Sequence, residues 1–207
     1  MTSYEYELQN VYLGEPNIPS TYQEVEYIQS SGTQYIVIWT SFKTSYKTVI
    51  DFQMTATWGD QVVVWLRYST GSSTKRYWID AWESNFKVIT WWSDWSNTIS
   101  EDTNRHTITI NKTTAIVDGT SYSVSYSNYT FSTWIGVFVY KTSDWLESYS
   151  KNKLYKLDIY DENWIHIYDL IPCYRKSDNV IWLYDKVNNQ FYTNAWSWTF
   201  TKWNNVN

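Results

Sequence analysis

Ile50-Asp51-Phe52-Gln53-Met54-Thr55 sets an apolar side chain at every second position and a polar one between. Side chains alternate across a strand, so this pattern describes a strand with one face on a core and the other in water. The reading extends outward along the chain. Ile108 and Ile110 alternate with Thr107, Thr109 and Asn111, and Tyr155, Leu157 and Ile159 alternate with Lys156 and Asp158. Strand-like runs also fall at Gln61–Tyr68, Arg76–Asp80, Asn85–Thr90, Thr114–Val117, Tyr122–Ser125, Ile135–Tyr140, Ile165–Leu170 and Asn179–Tyr184. Turn clusters such as Thr70-Gly71-Ser72-Ser73, Asp118-Gly119 and Lys176-Ser177-Asp178-Asn179 separate them. Strands recurring about every 8–12 residues predict an all-β sandwich or barrel. No long segment keeps a helical period, which excludes a doubly wound α/β fold.

Composition narrows the function classes. A chain of 207 residues suits one β domain and buries enough surface to need no disulfide or metal. The single cysteine cannot form an internal bridge. With 16 basic against 21 acidic residues the net charge is -5, the wrong sign for neutralising phosphates, so nucleic acid is not an expected partner. No stretch approaches the roughly 20 apolar residues of a membrane helix. Met1-Thr2-Ser3-Tyr4-Glu5 has neither the positive nor the apolar region of a secretory signal. Residues 1–21, which include Pro16-Asn17-Ile18-Pro19-Ser20, read as a lead-in or linker, and residues 22–207 as one domain.

Two segments carry a family resemblance. Glu24-Val25-Glu26-Tyr27-Ile28-Gln29-Ser30-Ser31-Gly32-Thr33-Gln34-Tyr35-Ile36 resembles the opening strand of a concanavalin-like, laminin-G-like jelly roll. Asp169-Leu170-Ile171-Pro172-Cys173, Val180–Asp185 and Gln190-Phe191-Tyr192-Thr193-Asn194-Ala195 resemble its closing strands. The module is common in phage and prophage structural proteins and in bacterial surface proteins. The resemblance implies a two-sheet antiparallel jelly-roll sandwich acting as a non-catalytic recognition module, a lectin-like adhesin for a glycan or surface protein. It also implies a place on a virion or at the cell surface, and a homotrimer if the module belongs to a fibre. A structural fibre-capping or oligomerisation domain is the alternative, and a glycoside hydrolase the third reading.

The chain departs from that module in one systematic way: Trp182, Trp196, Trp198 and Trp203 stand where Gly is usual. Composition says the same independently. There are 15 Trp and 6 Gly, whereas average usage of about 7% gives roughly 14 Gly. Asn163-Trp164 falls between two strand runs, where Asn-Gly is the strongest hairpin signal. Asp144-Trp145 and Asp94-Trp95 also occupy turn positions. These positions fit UGA codons meant as Gly, a decoding used by a few bacterial lineages and their phages, but written as Trp; genuine tryptophans would instead make a sugar-stacking platform or an interface.

Few constellations carry chemistry. Asp158, Asp161 and Glu162 form the densest acidic cluster, with Asp161-Glu162-Asn163-Trp164 reading as a hairpin turn, and Asp80 and Glu83 form a second pair. Glycosidases need two facing carboxylates, and the alternating acidic strand motif of sandwich-fold glucanases is missing, so no catalytic residue is assigned. His106 shares parity with Ile108 and Ile110 and reads as structural; His166 has no ligand partner at metal spacing. Cys173 reads as a buried small hydrophobe. Asp94, Asn97, Asp102 and Asn104 lie in one polar loop whose oxygens could serve calcium, but no spacing there matches a known calcium loop, so it reads as a solvated loop and no cofactor is assigned.

Overall fold

A computed structural model describes residues 18–57, 61–70, 73–82, 85–89, 99–100, 102–141, 146–195 and 199–206. Its strands are β1 (Tyr22–Glu24), β2 (Ile28–Gln29), β3 (Ile36–Lys43), β4 (Lys47–Met54), β5 (Gln61–Thr70), β6 (Ser73–Trp82) and β7 (Asn85–Ile89). Next come β8 (Ile99–Ser100), β9 (Arg105–Asn111), β10 (Thr114–Val117), β11 (Thr120–Ser123), β12 (Thr130–Val137), β13 (Val139–Lys141) and β14 (Leu146–Tyr149). The last are β15 (Asn152–Tyr160), β16 (His166–Arg175), β17 (Ile181–Asp185), β18 (Gln190–Thr193) and β19 (Thr201–Lys202). Among the described residues there is no helix, and hence none long and apolar enough to cross a membrane.

The strands form a two-sheet antiparallel sandwich. The larger sheet runs β11-β10-β9-β4-β15-β16-β17-β18, with β1, β2 and β19 attached beside β15 and β16. The smaller runs β3-β12-β5-β6-β7-β8, and β13 pairs with β14 in a separate ribbon. Neither sheet closes into a barrel.

Alternation decides which face is buried. β4 buries every second residue, so Thr48, Ile50, Phe52 and Met54 point inward. β9 does the same with His106, Ile108 and Ile110. From the smaller sheet, Ile38, Phe42, Leu66, Tyr77, Ile79, Phe131 and Ile135 complete one continuous core. Burying a side chain of this size contributes about 1.5–3 kcal/mol. Tyr77 is buried outright, and its hydroxyl donates to Thr48 Oγ1 at 2.8 Å, a polar tie across the two sheets. Burial drives that phenol's pKa far upward.

The structure corrects two sequence expectations. Tyr155 does not share the inward face of Leu157 and Ile159. The β15–β4 register shifts between Leu154 and Lys156, so Leu154 takes the place opposite Phe52 and Tyr155 is the extra residue. Its hydroxyl donates to Gln53 at 2.8 Å, and the Arg105 guanidinium covers its ring at 3.8 Å. Nor is Glu24–Ile36 a single strand. It is broken into β1, β2 and a loop before β3, and that loop is tied by Gln34, whose Oε1 accepts from the Ser31 amide at 2.8 Å.

The closing segments pair as adjacent strands, Trp182 opposite Thr193 and Asp185 opposite Gln190. Pro172 sits inside β16 and cannot donate to the ladder. Past Leu157 and Leu170, β15 and β16 part, and β1 and β2 fill the gap. The Pro172 carbonyl accepts from Val25 N at 3.0 Å on that side, a bond that proline, lacking an N–H, cannot return.

Candidate functional site

Three chain reversals meet at one end of the larger sheet. Lys47 pairs with Tyr160 and Thr48 with Ile110, which brings the β3–β4 corner, the β9–β10 turn and the β15–β16 hairpin side by side. They enclose a polar pocket of ≈ 240 Å³ lined by Ser45, Lys47, Asn111–Thr114, Asp161, Glu162 and Trp164.

Each wall is fixed by local chemistry. At the corner, Thr44 Oγ1 donates to Ser127 O at 2.8 Å and the Thr44 amide to Tyr129 O at 2.9 Å. Asp161 shapes the hairpin, its Oδ1 accepting from Asn163 N at 2.8 Å and Ile165 N at 2.9 Å. Glu162 accepts from Lys43 Nζ at 3.1 Å and Ser45 Oγ at 2.9 Å. Those hydrogen bonds, Lys43 first, hold its carboxyl below the usual glutamate range. Lys47 Nζ lies over the Tyr160 ring at 4.9 Å and the Trp164 ring at 5.1 Å. The result is a preformed rim bearing hydroxyls, an amide, an ammonium and an ionised carboxylate.

A second cluster lies on the outward face of the same sheet. Asp158 and Asp169 are cross-strand partners, 6% and 4% exposed. Lys156 Nζ lies between them, 3.1 Å from Asp158 Oδ1 and 3.4 Å from Asp169 Oδ1. The latter contact is an ion pair by distance but lacks hydrogen-bond alignment. His166 Nε2 is 2.9 Å from Asp158 Oδ1, and Lys186 Nζ is 3.6 Å from Asp169 Oδ2. Burial raises the pKa of Asp158 even against the Lys156 charge. Burial likewise raises that of Glu24, which feels Lys186, Asp169 and Lys156. Ligand atoms of Asp158, His166 and Asp169 lie within 4.8 Å of one another, a grouping that could hold a metal. Lys156 already supplies the cation there, and a dication would have to displace it.

The calcium candidates divide. Asp94 and Asn97 lie outside the described residues. Asp102 Oδ1 accepts from Asn104 N at 2.6 Å and lies 2.8 Å from His106 Nε2. On the other side of the ring, His106 Nδ1 lies 2.6 Å from Asp118 Oδ2. Asp102 is thus engaged with a histidine and with Asn104. Glu83 lies outside the described residues, while Asp80 falls within β6. Cys173 is buried, as its setting between Pro172 and Tyr174 predicts, and burial pushes its thiol up to about 12.

The pocket and the Lys156 network are what reading the sequence alone misses. Both are assembled across strands, although a hairpin folded about Asn163-Trp164 pairs Asp158 with Asp169 by equal distance from the turn. No family model matches this chain, and a search of curated proteins finds no match.

Proposed function

We propose that this chain is a non-catalytic recognition module of the concanavalin-like jelly-roll type, binding a glycan at the rim pocket on a virion or cell surface. The carrying observation is the pocket itself. Ser45, Asn111, Thr113 and Glu162 converge there from three reversals of the chain, the donor and acceptor mixture that sugar hydroxyls require. At ≈ 240 Å³ it lies below the about 300–1,000 Å³ of sites for drug-sized ligands, so it suits a single terminal sugar.

The outer-face carboxylates support a structural role better than an enzymatic one. A general acid must reach its substrate, whereas Asp158 and Asp169 are buried and share Lys156.

A glycan array probed with the folded protein, with calcium and with chelator, tests the reading. Specific binding that Asn111→Ala and Thr113→Ala weaken about tenfold is the expected result. A folded sample that binds no glycan, or pocket variants that bind unchanged, would overturn it.

A further inference from the structure

We infer that position 164, with the other tryptophans encoded by UGA, carries glycine in the protein as its host makes it. The β15–β16 hairpin turns through Asp161-Glu162-Asn163-Trp164, with Trp164 N donating to Asp161 O at 3.2 Å and Asp161 N donating to Ile165 O at 2.9 Å. This turn ends on a left-handed residue, and Trp164 is that residue, at φ 66. Glycine enters that region freely, whereas a bulky side chain there is an outlier.

The other positive-φ residues show what such a position normally demands. Lys112, Asp118, Asn179 and Asn189 are polar turn residues, and Asn and Asp are the types that best tolerate this conformation. Phe138, at φ 64, is the one comparable aromatic among the described residues, and its ring is fully buried against Phe200 at 5.7 Å. Burial offsets the strain at Phe138. Trp164 has no such offset, being 62% exposed.

The tryptophans as a group do not behave as this chain's core aromatics do. Phe42, Phe52, Phe131, Phe138 and Phe200 are all buried. None of the five tryptophans with a described side chain is buried, and Trp39 and Trp203 are 76% and 53% exposed. At Trp182 the indole Nε1 is buried with no hydrogen-bond partner, a state that buried indole N–H groups normally avoid. Adding the 15 Trp to the 6 Gly gives 21 of 207 residues, an ordinary share for a turn-rich β protein. One codon links the two residues. UGA, a stop in the standard code, is read as Trp under one reassignment and as Gly under another. Choosing the wrong one writes an indole wherever a turn needs glycine.

Trp164 lines part of the pocket wall, but the hydrogen-bonding groups on which the glycan reading rests come from Ser45, Asn111, Thr113 and Glu162.

The first test is the codon at position 164 together with peptide mass spectrometry of the protein from its natural source. UGA in the gene and Gly in the peptide spanning Asp161 to Ile165 are the expected results. A UGG codon, or Trp in that peptide, would overturn the inference. In recombinant protein, Trp164→Gly is expected to lower the unfolding equilibrium constant about tenfold, from relief of the strained backbone. Trp164→Ala removes the indole but keeps a Cβ in the left-handed region, so it should gain little. Equal effects of the two variants, or a loss of stability in Trp164→Gly, would count against glycine at this position.

Discussion

His106 and His166 stand on the same sheet, each beside carboxylates, and the two sites solve their charge problem differently. His106 lies between Asp102 and Asp118, with a carboxylate oxygen at each ring nitrogen. A nitrogen facing a carboxylate must donate, so the two acids together select the doubly protonated ring. Burial works against that charge, but the hydrogen bonds to Asp118 and Asp102 outweigh it and raise the His106 pKa. At the second site the positive charge comes from Lys156, which touches both Asp158 and Asp169 while His166 meets Asp158 alone. One acidic site therefore depends on pH near neutrality, and the other on a lysine that stays charged.

The largest effect should come from breaking the lysine site. Lys156→Met leaves Asp158 and Asp169 facing each other in the sheet with their shared ammonium gone. Removing one partner of a fully buried pair costs about 3–5 kcal/mol, and partial exposure of Lys156 lowers the expected loss to about 2–3 kcal/mol. Urea denaturation measures it, and adding Asp158→Asn to the lysine variant should recover about half.

Next is the pH-dependent site. Folded His106 keeps its proton to higher pH than the unfolded chain, so its stabilisation is complete below about pH 6.5 and fades as pH rises through the folded value. His106→Gln should cost about 1–2 kcal/mol at pH 6, the scale of charge-assisted hydrogen bonds, and should flatten the fall in stability toward pH 8. An unchanged pH slope in that variant would show that His106 does not set it. The smallest effect belongs to Asp102→Asn. This partner is half exposed, so a loss of about 0.5 kcal/mol and a shallower pH slope are expected from thermal melts across the same pH range.

Much of the fold was legible because strands bury alternate residues. β4 and β9 follow the alternation of Ile50–Met54 and of His106–Ile110 residue by residue. It was illegible at Tyr155, because a bulge inserts one residue and reverses parity with no change in composition. The rim pocket was harder to read, since its walls come from segments around 45, 112 and 162 that become neighbours only when β4 pairs with both β9 and β15. Glu24 and Lys186 join the Lys156 network from the two ends of the chain, a proximity that no local pattern encodes.

Recognition at the rim is tested most directly by calorimetric titration of a glycan, chosen from the array, into the unaltered protein and into Asn111→Ala and Lys156→Met. A pocket in the β3–β4, β9–β10 and β15–β16 reversals predicts that Asn111→Ala raises Kd about tenfold, while Lys156→Met, on the outward face, leaves Kd unchanged in the fraction that stays folded. Unchanged affinity in Asn111→Ala, or a loss confined to the Lys156 variant, would place the binding surface elsewhere.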